Sequence, residues 1–303
     1  MTLLAEARAP AEARTKPSRR KPRLAPWAFI GPAIGLFTVF FAYPLVASLV
    51  QSFQTDERGE TVWAGLANYR RLLGDPLMPT ALGNTAIILA IQVPLMLVLA
   101  LLLAQILNQS WLRMRTGYRI AYFLPAVTTL VAYAIVFRVL LRADSGVLNQ
   151  LLGLVGLPGV DWLNDPVWAK VALIASITWK WTGYNMVILL AGLQAIPREQ
   201  YEAAAVDGAG PVTTYVKVVV PQLRPVILFC LITSTIGTLQ LFDEPYLLTG
   251  GGPDNATLTP IIYLYQVGFQ QLDFGYASAI AWVVVLLIGA LSLLQFKALG
   301  RRG

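Results

Sequence analysis

The chain has 303 residues, of which 56% are hydrophobic and 13% are charged, whereas soluble proteins average about 25% charged residues. This composition excludes an ordinary soluble domain, and the absence of histidine excludes histidine-based hydrolases and histidine-ligated metal sites. The net charge of +7 does not indicate a nucleic-acid partner, because the basic residues gather in particular connections between apolar segments.

Six apolar segments follow one another along the chain, each long enough to cross a hydrocarbon layer of about 30 Å as a helix. They are predicted to span the membrane near residues 26–50, 80–107, 118–141, 167–193, 224–248 and 276–299. Helices are expected because a lipid-exposed backbone must satisfy its own N–H and C=O groups, and these segments are too long for barrel strands. The predicted fold class is therefore an all-α polytopic membrane protein with six transmembrane helices.

The distribution of lysine and arginine favours one orientation of these helices. Residues 1–24, rich in Ala, Pro, Arg and Lys, are predicted to form a disordered basic tail. Further basic residues follow the second, fourth and sixth segments: Arg113, Arg115, Arg119, Arg198, Lys217, Arg224, Lys297, Arg301 and Arg302. By the positive-inside rule, both termini and the connection between the fourth and fifth segments are predicted to be cytoplasmic.

The stretch "LTGGGPDNATLTP" lies in a connection predicted to be on the outer side. Its three glycines beside a proline predict a bent or mobile backbone. A nucleotide phosphate site is excluded, because no Lys-Ser/Thr pair follows in the GxxxxGK[ST] arrangement, here or elsewhere in the chain. If ATP drives this protein, another chain must bind the nucleotide.

Polar residues inside predicted membrane segments are costly and therefore indicate function. The fourth segment contains Trp181, Tyr184 and Asn185 on one helix face, and the fifth contains Thr238 and Gln240, with Asp243 nearer the outer side. This mixture suits a sugar, whose hydroxyl groups hydrogen-bond to amides while its C–H face packs on an aromatic ring.

Two cations in the apolar segments have two open interpretations. Lys180 and Arg138 can pair with Asp243 or Glu244, or they can contact the solute. An anionic solute would favour the second interpretation, whereas a neutral sugar would not need the cations.

The sequence "REQYEAAAVDGAGPVTTYVKVVVPQLRP", residues 198–225, is the longest polar stretch after the tail. Pro197 can start a helix over 198–206, which is predicted to stop at Asp207-Gly208 because glycine adopts the left-handed conformation that closes helices. Pro211 is predicted to start a second short helix that ends before Pro221.

The first of these two helices is predicted to expose the small residues Ala203, Ala204 and Ala205 beside Glu199 and Glu202. Small side chains permit the close approach of a partner, and the carboxylates can meet cations. Amphipathicity alone leaves a second interpretation open, an interfacial helix that merely connects two spans.

The spacing of this loop resembles a known motif. Glu202-Ala203-Ala204, followed by Gly208 and then by Val218-x-Val220-Pro221, resembles the EAA loop of binding-protein-dependent ABC importer permeases, which usually ends in Ile-x-Leu-Pro. Other stretches resemble, in order, the sugar-type permeases related to the maltose, lactose and glycerol-phosphate systems: "GLANYRRLL" with "ALGNTAIIL", "YFLPAVTTLVAY", "WKWTGYNMVILLAGLQAIPREQYEAAAVDGAG", "FDEPYLLTGGGP" and "FGYASAIAWV".

The resemblance implies a type I ABC importer permease fold in a bacterial inner membrane. Its implied partners are a second homologous permease subunit, two ABC ATPase subunits, an extracytoplasmic solute-binding protein and the lipid bilayer, with no nucleic acid. In that family the EAA helix docks in a cleft of the ATPase. The coupling residues carried over to this chain are Glu202, Ala203, Ala204, Asp207, Gly208 and Pro221.

In the maltose-type relatives the middles of the corresponding two helices hold the solute, which raises Trp181, Tyr184, Thr238 and Gln240 as candidates by position. The expected solute is a mono- or oligosaccharide, with glycerol-phosphate-type import as the alternative. No catalytic residue, cofactor or metal is predicted.

Two other function classes compete with this prediction. A secondary transporter would have inverted repeats with broken midplane helices, and often uses embedded carboxylates or histidine for ion coupling. A membrane-embedded enzyme would need paired catalytic groups, whereas the adjacent Asp243 and Glu244 diverge on a helix. Six spans, the absence of histidine and the cytoplasmic EAA loop argue against a secondary transporter, and the lack of paired catalytic groups argues against an enzyme.

Overall fold

A computed structural model describes residues 24–57, 59–109 and 111–300. The chain divides into two compact units, Met1–Ala47 and Ser48–Gly303. In the first unit, helix α1 (Leu24–Phe37) continues through a π-helical turn (Thr38–Ala42) into α2 (Tyr43–Gln51), which ends in the second unit. The tail predicted over residues 1–24 lies outside the described residues, except for its last residue, which begins α1.

The second unit begins with a short antiparallel hairpin, β1 (Gln54–Glu57) and β2 (Glu60–Trp63), followed by α3 (Ala67–Gly74). The hairpin departs from the all-α prediction, although it is small. The buried Asn68 amide donates to the carbonyl oxygens of Ser52 (3.0 Å) and Gln54 (2.8 Å), which fastens the start of the hairpin to α3.

Helix α4 (Leu77–Asn108) crosses the unit without interruption. The span predicted over 118–141, in contrast, consists of two helices, α5 (Arg115–Val127) and α6 (Leu130–Leu140), bent by 97°. Thr128 and Thr129 between them have extended backbones, with ψ of 137° and 145°. Pro125 cannot donate a backbone hydrogen bond near this end of α5, and β-branched residues tolerate the extended conformation well.

A small cap over residues 142–166 contains α7 (Val147–Leu154). The Asn149 side chain donates to the carbonyl oxygens of Ala143 and Val160 (both 2.8 Å) and accepts from the Trp162 indole (2.8 Å). One amide therefore gathers the ends of the cap.

Helix α8 (Pro166–Gln194) follows the cap, and its start is specified by the sequence. Asp165 accepts from the backbone N–H groups of Val167 and Trp168 (both 2.9 Å), and a proline occupies the first helical position.

Helix α9 (Arg198–Val206) and α10 (Pro211–Thr214) form the polar connection. The prediction that the second helix ends before Pro221 is wrong. Helix α10 continues through a π-helical turn (Tyr215–Val219) into α11 (Val220–Leu239), so that the helix is unbroken over Pro211–Leu239. Because Pro221 lacks an N–H and would crowd the carbonyl four residues earlier, the wider π-turn before it lets the helix pass through the proline.

The span predicted over 224–248 is wrong at its C-terminal end. Helix α11 stops at Leu239, and a separate helix α12 (Asp243–Thr249) follows. The chain then turns through the glycine-rich loop into α13 (Pro260–Tyr265), a π-helical turn (Gln266–Gln270) and α14 (Phe274–Gly300). The glycine-rich loop is bent, as predicted, with φ of +65° at Gly250 and +90° at Gly251.

Two contacts tie this C-terminal region to α4. The Asn84 amide donates to the carbonyl oxygens of Asn255 (2.7 Å) and Leu258 (3.1 Å) in the glycine-rich loop. Asp75, just before α4, accepts from the hydroxyl groups of Tyr263 and Tyr276. Burial alone would raise the pKa of Asp75, but these hydrogen bonds and the nearby Arg71 outweigh it and lower the pKa below its usual value.

Four helical segments in the described residues are long and apolar enough to cross a membrane: Phe29–Gln51, Leu77–Asn108, Pro211–Leu239 and Phe274–Gly300. The bent α5–α6 pair is a fifth candidate. Helix α8, with 29 residues, is long enough but too polar for the same criterion, and its polar residues Lys180 and Asn185 are buried against neighbouring helices. The structure is therefore consistent with six crossings, with α8 shielded by protein.

Candidate functional site

A cavity of about 470 Å³ lies among α4, α8, α11 and α12. Its walls include all six residues that the sequence suggested for the solute pathway: Trp181, Tyr184, Asn185, Thr238, Gln240 and Asp243. The volume falls within the range of about 300–1,000 Å³ that is usual for small-molecule sites. Helices α8, α11 and α12 thus bring the predicted residues together.

Aromatic side chains line one part of this cavity. The rings of Trp181 and Tyr184 meet edge to face, with centroids 5.9 Å apart, and 40% of Tyr184 is exposed. Phe242, at the start of α12, also lines the cavity and stacks on Tyr246 at 5.0 Å. These rings offer flat apolar faces beside polar groups, which is the combination that a sugar ring requires.

A buried ion pair closes another part of the wall. Lys180 Nζ lies 2.9 Å from Glu244 Oε1, and the two side chains are only 3% and 7% exposed. The same ammonium group lies 5.0 Å from the centroid of the Tyr133 ring and 5.3 Å from that of Trp181. The structure therefore answers the open question about Lys180, whose partner is Glu244.

Arg138 lies elsewhere. It lines a second, more open cavity together with Arg142, Asp144 and Asp161. Neither Asp243 nor Glu244 is its partner in the described part of the chain.

Amide groups from two helices meet inside the first cavity. Gln92 Nε2 and Asn185 Nδ2 lie 3.3 Å and 3.5 Å from the Met96 sulfur, which is a weak acceptor. Asn185 Oδ1 is buried without a hydrogen-bond partner. The Thr238 hydroxyl lies 3.3 Å from Gln92 Oε1 and 2.9 Å from the Ser234 carbonyl oxygen. The site therefore holds hydrogen-bonding capacity that its own residues satisfy poorly.

Gln92 and Met96 were missed by the sequence-based selection. Both belong to α4, whereas the residues predicted for the solute pathway lie in the fourth and fifth apolar segments. A signal for Gln92 was present, since a buried amide in the middle of the long apolar stretch "AIILAIQVPLMLVLALLLAQ" has the same cost as the polar residues of α8.

The loop over residues 197–222 is a second candidate site. Helix α9 ends in a Schellman motif: Ala209 N–H donates to the Ala204 carbonyl oxygen (2.9 Å) and Gly208 N–H to that of Ala205 (3.1 Å). Gly208 has φ of +74°, as the sequence predicted for the residue that closes this helix. Gly210 and Pro211 then begin α10.

The exposed face of α9 carries most of the predicted coupling residues. Glu202, Ala203, Asp207 and Gly208 are exposed, and Glu202 has no hydrogen-bond or ion-pair partner among the described residues. The expectation that Ala204 is exposed is wrong: it is only 7% exposed, because it faces the chain's own helices. Pro221 is half-buried within the continuous helix.

Comparison with known protein families identifies a match over residues 87–302 to the family described as "Binding-protein-dependent transport system inner membrane component". The chain is 47% identical over 281 residues to the lactose transport system permease protein LacF of Rhizobium radiobacter, with 91% of this chain and 94% of that protein covered. It is 36% identical over 280 residues to the arabinooligosaccharides transport system permease protein AraP of Halalkalibacterium halodurans, with 92% and 88% covered.

Among solved structures, the chain resembles one from the crystal structure of a bacterial ABC transporter involved in the import of the acidic polysaccharide alginate. The TM-score is 0.82 at 23% identity, covering 91% of this chain and 95% of that one. A second structure of an alginate ABC transporter, in complex with an alginate pentasaccharide-bound periplasmic protein, gives a TM-score of 0.80 at 23% identity, with 90% and 93% covered. The fold is that of ABC importer permeases.

Proposed function

Because the chain belongs to the family of binding-protein-dependent transport system inner membrane components, we propose that it is the permease subunit of an ATP-driven importer that carries a sugar through the cavity among α4, α8, α11 and α12. Relatives at 47% and 36% identity bear the names of lactose and arabinooligosaccharide permeases, which supports a saccharide as the solute. The aromatic rings and the poorly satisfied amides of the cavity support the same solute class.

One structural observation carries the proposal: the loop and the cavity share a single helix. Helix Pro211–Leu239 begins in the 197–222 loop and runs for 29 residues, about 43 Å at 1.5 Å per residue. Its last turns contribute Thr233, Ser234, Gly237 and Thr238 to the cavity wall. A force applied to the loop would therefore reach the solute site without crossing a flexible connection.

The exposed face of α9 is the proposed docking surface for an ATPase. Glu202 supplies the polar contact, Ala203 permits close approach, and Gly208 fixes the turn toward α10. Ala204, since it packs inward, supports the shape of the loop rather than the contact itself. Asp207 and Pro221 complete the proposed coupling set.

Further subunits follow from this role. The chain has no Walker-type nucleotide loop, so two ATPase subunits are proposed to supply ATP hydrolysis, and the permease itself is not the enzyme. A second, homologous permease and an extracytoplasmic binding protein complete the importer. The basic residues near α5, α9 and the C-terminus support cytoplasmic termini in a bacterial inner membrane.

The test is Glu202→Lys in the complete importer reconstituted in proteoliposomes. We expect the complex to assemble while solute-stimulated ATP hydrolysis and uptake fall at least tenfold, because the reversed charge repels a cationic groove. Glu60→Lys is the matched control, since it makes the same change in charge at an exposed residue of β2, outside the loop. Wild-type transport by the Glu202→Lys complex would contradict the proposal.

A further inference from the structure

The described residues that line the solute cavity carry more negative than positive charge. Lys180 is the only cation among the described residues that line it, and it is paired with Glu244 at 2.9 Å. Aromatic rings of Tyr133 and Trp181 cover the same ammonium group at 5.0 Å and 5.3 Å from their centroids. With its side chain only 3% exposed, Lys180 has no free direction from which to meet a carboxylate or a phosphate of a solute.

Asp243 lies next to this pair in the chain and has the opposite character. It lines the same cavity, it is exposed, and it has no hydrogen-bond or ion-pair partner within the part of the chain that the structure describes. After Lys180 and Glu244 neutralise each other, the cavity retains one uncompensated negative charge.

We propose that this cavity is selective for uncharged saccharides, and that Asp243 is the specificity-determining residue that excludes acidic sugars and phosphorylated solutes. The proposal rests on the function proposed above. Hydroxyl groups of a neutral sugar can donate to the exposed carboxylate of Asp243, and its C–H face can pack on the partly exposed ring of Tyr184. An anionic group would meet a like charge and no available cation.

The expected size of this discrimination follows from Coulomb's law. Two like charges about 8 Å apart, at an effective dielectric constant of about 20, repel strongly enough to lower occupancy about 30-fold. Salt weakens the repulsion in the more open parts of the cavity, where screening acts over about 8–10 Å. We therefore expect the cavity to discriminate against anionic solutes by at least roughly tenfold.

The charge of the cavity can be measured without knowing the natural solute. The chain's single cysteine, Cys230, is fully buried and would be replaced by serine, and Thr233→Cys would place one thiol on the exposed part of the cavity wall. In the assembled importer, the rates at which cationic and anionic methanethiosulfonates modify this chain are compared by mass spectrometry, each normalised to a free thiol.

We expect the cationic reagent to react at least tenfold faster than the anionic one, and Asp243→Asn to abolish most of this preference. Asp254→Asn is the matched control, since it removes an exposed carboxylate that does not line the cavity and should leave the preference unchanged. Equal rates for the two reagents in the Cys230→Ser, Thr233→Cys protein that retains Asp243, or a preference that survives Asp243→Asn, would overturn the proposal.

A parallel measurement separates this inference from the proposed function. ATP-driven uptake of the saccharide bound by the importer's own binding protein is recorded in parallel with the importer that carries no cysteine substitutions. If the saccharide is taken up but the two reagents react at equal rates, the proposed charge selectivity is refuted and the proposed function is not. A tenfold cationic preference without any ATP-driven uptake would support the negative cavity and contradict its role in sugar import.

Discussion

The cavity wall and the 197–222 loop both carry charged residues, but the two regions place them in opposite environments. In the wall, Lys180 and Glu244 are buried and bonded to each other, so their charges hold α8 against α12. In the loop, Glu202 and Asp207 are exposed, and their side chains have no hydrogen-bond or ion-pair partner among the described residues. The difference indicates that the paired charges of the wall are structural, whereas those of the loop are available to another subunit.

The largest expected effect comes from breaking the buried pair. Glu244→Gln leaves the Lys180 ammonium buried without a countercharge, and removal of one member of such a pair typically costs about 3–5 kcal/mol. We expect a strongly lowered thermal unfolding midpoint of the purified protein in detergent. Lys180→Met combined with Glu244→Gln should recover much of the loss, because no unpaired charge remains.

A more exposed ion pair provides the control for this experiment. Arg71 and Asp273 lie 2.6 Å apart, but their side chains are 52% and 25% exposed. Solvent screening limits such a pair to about 1 kcal/mol or less, so Arg71→Gln should shift the midpoint only slightly. Equal losses in Glu244→Gln and Arg71→Gln would show that burial does not distinguish the two pairs.

A second prediction concerns the backbone contact behind the cavity wall. A Cβ on Gly183 of α8 would overlap the Tyr122 carbonyl oxygen of α5, so Gly183→Ala must push the two helices apart. Overpacking of this kind typically costs about 1–3 kcal/mol. We expect a lower unfolding midpoint together with reduced uptake, because α8 also carries Trp181 and Tyr184 into the cavity.

Gly237→Ala tests whether the Gly183 effect is steric. Gly237 lines the same cavity from α11, but no atom lies within 4 Å of the Cβ that it would gain. Alanine is the better helix former, so the variant should be as stable as the wild type or slightly more stable. A loss of stability in Gly237→Ala as large as that in Gly183→Ala would contradict the steric explanation.

Sequence patterns predicted local features better than breaks in helices. The left-handed glycine at 208 and the start of α10 at Pro211 were predictable, because each depends on the conformational range of one residue. The 97° bend after Val127 and the end of α11 at Leu239 were not predicted, because each break contains only a few polar residues between apolar flanks: Thr128 and Thr129 at the first, and Gln240, Asp243 and Glu244 at the second. Hydropathy measures whether a segment suits lipid and does not report where its backbone turns.

From the sequence, the partner of a given side chain could be predicted only as a choice between alternatives. The sequence placed Lys180 near two carboxylates, and only the packing of α12 against α8 selects Glu244 and leaves Asp243 free. Similarly, a helical pattern of alanines gave no reason to separate Ala204 from Ala203, but the fold buries the first and exposes the second. In both cases the deciding contact comes from residues distant in the chain.

A small predicted effect on stability lies in the 197–222 loop, where it tests whether shape, as well as charge, matters. Gly208 has φ of +74° and Gly210 has φ of −68°, and an added Cβ would meet no atom within 4 Å at either position. Gly208→Ala should therefore lower the free energy of unfolding by about 1 kcal/mol, because alanine disfavours the left-handed backbone. Gly210→Ala carries no such cost. Since the loop is exposed and α11 is held by its neighbours, neither variant should lower the unfolding midpoint much.

Coupling should nevertheless distinguish the two glycine variants. If the turn at Gly208 sets the angle at which α9 meets an ATPase, Gly208→Ala should lower solute-stimulated ATP hydrolysis several-fold in the reconstituted importer, while Gly210→Ala leaves it near the wild-type rate. Equal rates in the two variants would mean that the loop contributes only its charges. A defect confined to Gly208→Ala would mean that the exposed loop must keep a defined conformation for coupling, although it adds little to stability. The reason would be that the continuous helix from Pro211 to Leu239 connects the loop directly to the cavity.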